Sequence, residues 1–242
     1  MAPPARRREK LREATLTEIR EAARRLLTTQ GSAAVTINAV ARQIGMSGPA
    51  LYHYFASHEE LVAAVTADFL RELTTAMETA RDAHAADPPA ERLLATCRAM
   101  RGWAIAHPAE FGWIFASPIR PADSARHRPD SPRNQAGRDF ELVFLQQIEE
   151  LWVSAPFAVP APEDLDPSVR EQLHAYATAL DGKLPIEALH VAMSCWIRLY
   201  GLLCMEILNQ LDFVYSDLTP IYEETLRDLI AMLSAQEPPA PA

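Results

Sequence analysis

Two Glu-x-x-His units, Glu171 to His174 and Glu187 to His190, have the spacing used for metal-assisted chemistry. Set on helices, such units supply part of a di-metal carboxylate site, which also needs a Glu from each of two further helices. In the usual chain order one of those lies between the units. No Glu occurs from Ala175 to Ile186, and Gly182 and Pro185 interrupt that stretch. The chain has no Gly-rich phosphate loop, Gly-x-Ser-x-Gly elbow or His-Glu-x-x-His. A helical di-metal enzyme is therefore the lesser alternative, and no catalytic residue, metal ligand or cofactor is assigned. Small and polar side chains near the start of the chain carry a different chemistry. Thr36, Ser47, Gly48, Pro49, Ala50, Tyr52 and His53 suit close approach to a nucleic-acid groove and hydrogen bonding to phosphate.

Two short helices and a turn would position them. Thr36 N-caps the first helix, whose apolar residues Ile37, Val40, Ala41 and Ile44 recur at helical spacing. Gly45 supplies the left-handed residue that ends it. Ser47 opens the second helix, and Pro49 is tolerated in a first turn whose N–H groups lack intrahelical partners. Leu51, Tyr54 and Phe55 share one face and belong to a core. Such a pair reads DNA when its second helix enters a major groove, but the same pair also packs inside all-α cores.

Charge separates these readings. Residues 1–55 carry nine Arg and Lys against four Glu, a net of +5. The remaining 187 residues carry 14 basic and 28 acidic groups, a net of −14. A basic head on an acidic body is the asymmetry of a DNA-binding regulator. Arg6, Arg7 and Arg8 are candidates for minor-groove or backbone contacts, and equally for a solvated tail. The 242 residues are enough for one large or two modest domains. Three widely spaced cysteines, Cys97, Cys195 and Cys204, with no Cys-x-x-Cys pair, point to reduced thiols in the cytoplasm. Arg6-Arg7-Arg8 leads into an amphipathic helix, not a signal peptide. The apolar run from Val191 to Leu208 is broken by Arg198 and Glu206, so no membrane partner is expected.

The expected fold is all-α: an N-terminal three-helix DNA-binding head with a basic arm over 1–56, a larger helical ligand-binding and dimerisation body over 57–235, and a disordered tail over 236–242. After a disordered tip of five residues, a helix runs to about Thr29 and buries Ile19, Ala22, Ala23, Leu26 and Leu27. Ser57 and Glu60 form a capping box. Leu61, Val65, Phe69, Leu73, Met77 and Ala80 then keep a helical period through a helix of roughly 35–40 Å. Further helices are expected over 91–106, 139–153, from Pro167 to about Leu180, 185–210 and 219–233. A short aromatic piece lies at 109–116, and proline-rich loops lie at 118–133 and before Pro167.

The series Thr36, Val40-Ala41, Gly45-Met46-Ser47, Leu51-Tyr52-His53-Tyr54-Phe55 and Ser57-His58-Glu59-Glu60-Leu61 resembles the DNA-binding signature of the tetracycline-repressor (TetR) family, without gaps and over about Ile19 to Val65. The resemblance implies an all-helical homodimeric repressor with a variable ligand-binding body. It places Ser47, Gly48, Pro49 and Ala50 where the recognition helix enters the major groove, making apolar contacts to thymine methyls more than bidentate hydrogen bonds. It places Tyr52, His53 and Thr36 against phosphate or sugar. His58 stands where the family commonly has Lys, so a phosphate contact there would be weakened or pH-sensitive, and Asn38 stands where an acidic residue is common. Trp196-Ile197-Arg198-Leu199-Tyr200-Gly201 is similar to the Trp-to-His-Gly pattern of one subgroup's C-terminal domain, with Tyr200 in place of His.

One head reads too few bases, so two should act together on half-sites about one helical turn or a multiple apart. The helix from Ala188 to Ile207 is apolar nearly all round and needs two partners. A twin chain is expected to be one of them, with Leu199, Leu202, Tyr222, Leu226, Leu229, Ile230 and Leu233 in a four-helix interface. The excess of aromatics points to a pocket of Cys97, Trp103, His107, Phe111, Trp113, Phe144, Trp196 and Tyr200 for a small, largely apolar effector. Its binding would favour one setting of the long 59–81 helix, alter the spacing of the heads and release a palindromic operator of double-stranded DNA. A ligand-independent DNA-binding structural protein is the remaining alternative, told apart by whether a compound releases the DNA.

Overall fold

The computed structural model describes residues 4–116 and 131–234, so the tail over 236–242 and most of the expected loop over 118–133 lie outside the described residues. Among the described residues every regular element is helical. They are α1 (Pro4–Gln30), α2 (Ile37–Gln43), α3 (Gly48–Leu51), α4 (His58–Ala83), α5 (Pro89–Ala106), α6 (Pro108–Phe111), α7 (Pro132–Ser154), α8 (Pro167–Leu180), α9 (Ile186–Ile207) and α10 (Thr219–Met232). A π turn over Gly112–Ala116 continues α6.

The chain forms two compact units. The first holds the described residues up to Glu72 together with those from His107 to Gly137; the second holds Leu73–Ala106 and the described residues from Arg138 onward. This differs from a division at 56/57, because the uninterrupted α4 contributes to both units and because α6 joins the first.

In the first unit, α1 buries Ile19, Ala22, Ala23, Leu26 and Leu27, the stripe its periodicity predicts. It begins at Pro4, earlier than the expected disordered tip allows. Gly31, with φ +84°, turns the chain after it. The Glu110 carboxylate is buried and accepts from Arg24 Nε at 2.8 Å, while Arg24 also donates to Glu72 at 2.6 Å. A buried carboxylate requires such a cation, so this network pins α6 to α1 and to the middle of α4. Trp113 Nε1 donates to Thr66 Oγ1 at 3.0 Å, and Thr66 in turn donates to the Val62 carbonyl at 2.7 Å.

The second unit packs α5, α7, α9 and α10 around Met100, Leu203, Tyr222 and Leu226. The Tyr222 hydroxyl donates to the Cys97 carbonyl at 2.7 Å. Arg101 makes a two-pronged pair with Glu206, at 2.6 and 2.9 Å, and also donates to Thr219 at 3.0 Å. Phe140, Phe144, Trp196 and Tyr200 form an aromatic ladder between α7 and α9, with ring centroids 5.3 to 5.7 Å apart along it. α7 starts at Pro132, seven residues before the expected Asp139, because Ser131 Oγ caps it by accepting from Asn134 N. Among the described residues α9 alone is long and apolar enough to cross a membrane by length and composition. Only about a third of its apolar window is buried within the chain.

Candidate functional site

Thr36 Oγ1 accepts from Ala39 N at 3.2 Å and caps α2, which buries Ile37, Val40 and Ala41. Gly45 then sits at φ +70°, with Met46 N donating back to the Ala41 carbonyl at 2.8 Å. This is the six-to-one bond of a Schellman turn, and it needs a residue that tolerates positive φ. Ser47 Oγ accepts from Ala50 N at 3.3 Å and opens α3. Regular helix stops at Leu51, yet Tyr54 N and Phe55 N both bond to the Leu51 carbonyl, so the coil continues for another turn. Leu51 and Phe55 are buried. Their burial turns the opposite side outward: Ser47, Pro49, Tyr52 and His53 are exposed, and Gly48 and Ala50 are half-exposed. Ser47, Pro49, Ala50, Tyr52 and His53 form one ridge of mostly small and polar groups, with Gly48 turned toward Asn38 of α2. Thr36 is exposed at the start of α2 with its hydroxyl engaged in the cap.

Two positions carry roles that local sequence does not display. A Cβ at Gly48 would collide with Asn38 Oδ1, so glycine there lets the α2 side chain lean over the start of α3. The missing side chain serves helix packing as well as any approach to a groove. His58 is half-buried, and its Nε2 lies 2.7 Å from the Val35 carbonyl. That ring nitrogen ties α4 to the turn before α2, a structural role beside the phosphate contact expected at this position. Ser57 Oγ caps α4 as expected, accepting from Glu60 N at 3.2 Å, and Glu60 reaches back one residue farther than the N-cap, its Oε2 accepting from Ala56 N at 2.5 Å. Arg6, Arg7 and Arg8 are exposed and lie within α1.

In the second unit an apolar slot of about 50 Å³ opens between α5, α7, α9 and α10. Three of the residues expected in a pocket, Cys97, Phe144 and Trp196, line it. So do five that were expected at a dimer interface: Leu199, Leu226, Leu229, Ile230 and Leu233. Tyr222, also expected at the interface, is wholly buried. Their apolar faces are covered by the chain's own helices, and of the seven only Leu202 and Ile230 are as much as half-exposed. Burial pushes the Cys97 thiol up to about 12 and the Cys195 thiol up to about 11, so both stay protonated and behave as small apolar groups. Tyr200 stacks on Trp196 at 5.5 Å outside the slot lining, and burial raises its hydroxyl above the ordinary range. Trp103 is buried in the same unit without lining the slot. His107, Phe111 and Trp113 belong to the first unit, where Phe111 and Trp113 are core. Among the described residues no group of three or more His, Cys, Asp or Glu side chains is placed to hold a metal ion.

Comparison with known proteins meets this geometry at both units. The family model described as bacterial regulatory proteins, tetR family, matches residues 19–65. A second, described as tetracyclin repressor-like, C-terminal domain, matches residues 93–229. The HTH-type transcriptional regulator Mb1846 of Mycobacterium bovis is 34% identical over 113 residues, which are 47% of this chain and 48% of that protein. The chain thus spans about half the length of the curated relatives first matched. The uncharacterized HTH-type transcriptional regulator Rv0681 of Mycobacterium tuberculosis is 26% identical over 81% of this chain and 72% of its own length. The crystal structure of the regulatory protein SCO4313 superposes with a TM-score of 0.69 at 27% identity, covering 92% of this chain and 98% of that one. Two consecutive family models, one on the helix-turn-helix and one on more than half of the chain, leave one conclusion: the protein belongs to the tetracycline-repressor family of bacterial regulatory proteins.

Proposed function

We propose that this chain is a ligand-responsive repressor rather than an enzyme. It acts in the cytoplasm on the nucleoid, binds a palindromic operator as a homodimer, and leaves it when a small, largely apolar molecule enters the second unit. We assign DNA reading to 1–56 and effector binding and dimerisation to 57–235. The observation that carries the reading is the exposed ridge from Ser47 to His53, held rigid by buried Leu51 and Phe55 and by the Gly45 turn. Its short side chains permit the close backbone approach that a major-groove helix needs. Selection of genomic fragments with the purified protein tests it. The enriched fragments should share an inverted repeat with half-sites one helical turn or a multiple apart, and a compound that raises the melting temperature should release them. Enrichment without any common site would overturn the reading.

The slot supports an uncharged effector, since its lining is aliphatic, aromatic or protonated thiol. It is smaller than the roughly 150 Å³ apolar cavity that accepts benzene. Any larger effector must therefore spread the helices that line it. α4 belongs to both units and is the natural element to carry such a change. We also read Trp196, stacked on Tyr200 one residue before Gly201, as the anchor of the Trp-His-Gly-type subgroup pattern.

For the dimer, the outward stripe of α9 supplies the support. Ile197 is 64% exposed, and Met205 and Leu208 continue its line. An apolar stripe of this kind on a soluble helix calls for a partner. Ile197→Glu is expected to give a monomer by sedimentation at micromolar concentration, with the helical content by circular dichroism unchanged. Losing the second head should weaken operator binding by roughly 100-fold or more. A persistent dimer would move the interface elsewhere.

A further inference from the structure

α1 is a single helix from Pro4 to Gln30, yet Ile19 is its first fully buried side chain. Residues 6–14 are exposed on every side, a free length of about 13 Å at 1.5 Å per residue. Following the buried stripe of Ile19, Ala22, Ala23 and Leu26 toward the N-terminus, the helical period passes half-buried Thr15 and Leu16 and then reaches Arg12 and Arg8. Where the core ends, the inward face of α1 becomes cationic. Glu9 and Glu13 lie about 100° round the helix from it, and Arg6 and Lys10 lie farther round still, on the outward face.

The inward face is not free to wander. The Arg12 guanidinium sits over the Tyr54 ring, 5.5 Å from its centroid. Tyr54 directly follows the exposed Tyr52 and His53 of the α3 ridge. Arg8 stands on the same face as Arg12, about 6 Å farther along the axis. Among the described residues Arg6, Arg7, Arg8 and Lys10 make no ion pair.

We propose that the start of α1 is a second DNA-contacting element, a helical arm fastened to the recognition helix by Arg12 over Tyr54, which lays Arg8 against a phosphate flanking the bases that α3 reads. The inference rests on the DNA reading above and sharpens it. A loose tail would use Arg6, Arg7 and Arg8 alike, whereas a fastened helix uses one face. Arg8 neutralises the phosphate; Lys10 and Arg6 point away from it.

The test compares full-length Arg8→Ala and Lys10→Ala, which remove one positive charge each from opposite faces. The readout is the slope of log K against log salt on an enriched genomic fragment. Arg8→Ala should flatten the slope by about 0.9 per protomer, one released counterion, and Lys10→Ala should leave it unchanged. Leu11→Pro keeps every charge but breaks the arm, and should flatten the slope as Arg8→Ala does. Equal slopes for Arg8→Ala and Lys10→Ala, whether both altered or both at the wild-type value, would overturn the arm while leaving the α3 reading in place. So would a wild-type slope for Leu11→Pro. If the wild-type chain binds no fragment at all, both readings fall together.

Discussion

Pro49→Glu is expected to weaken operator binding by at least roughly 30-fold while leaving the fold intact. Pro49 is exposed in the first turn of α3 and contributes nothing to the core of Leu51 and Phe55. An acidic side chain in the first turn of a helix is favoured by the free N–H groups there, so stability should change by about 0.5 kcal/mol or less. On the groove side the same carboxylate meets base edges and two rows of phosphates. A spoiled base contact costs about 1–3 kcal/mol, and a dimer carries the change twice, giving about 2–6 kcal/mol or roughly 30- to 25,000-fold in affinity. Fluorescence anisotropy on an enriched fragment reads the affinity, and thermal melting by circular dichroism reads the fold. Ser47 would be a poorer probe, because its hydroxyl caps α3 and its loss would mix the two effects. Wild-type affinity for Pro49→Glu would place the reading surface away from the α3 ridge.

The helix-turn-helix was legible because every signal in it is local. Thr36 and Ser47 cap within three residues, and Gly45 sets the turn through its own φ. The buried stripe of α1 needed only one helical period. What the sequence hid is contact at a distance. Nothing near Glu110 in sequence announces that its carboxylate is buried on Arg24, 86 residues away. The start of α7 escaped notice because its first turns carry Arg133, Asn134, Gln135 and Gly137, leaving only Ala136 as a buried marker. Asn38 and Gly48 explain each other only when the two helices are side by side. The body shows the limit most plainly. Periodicity reveals that α9 is apolar on two sides, but not which neighbour covers which. Leu199, expected at an interface, lines a slot within the chain, while Ile197, about 200° round the helix from it, faces out.

Arg101→Ala is expected to be among the most destabilising single changes away from the apolar core. Arg101 of α5 and Glu206 of α9 are only 13% and 12% exposed, and their two-pronged contact joins these helices to Thr219 at the start of α10. The guanidinium also lies 5.0 Å from the centroid of the buried Tyr222 ring. Glu206 is one of the two charges that interrupt the most apolar stretch of the chain, and this pair is what makes its place there tolerable. Removing the arginine strands a nearly buried carboxylate, at about 3–5 kcal/mol. For a chain of this length that corresponds to a fall in melting temperature on the order of 10 °C. The double variant Arg101→Met with Glu206→Leu leaves no charge to strand and should recover most of the loss, because apolar side chains of similar size replace such pairs at little cost. Thermal melting of the two proteins separates the causes. Recovery in the double variant assigns the loss to the abandoned carboxylate. Equal melting of single and double variants would assign it to the attraction between the pair and to the packing of the guanidinium on Tyr222.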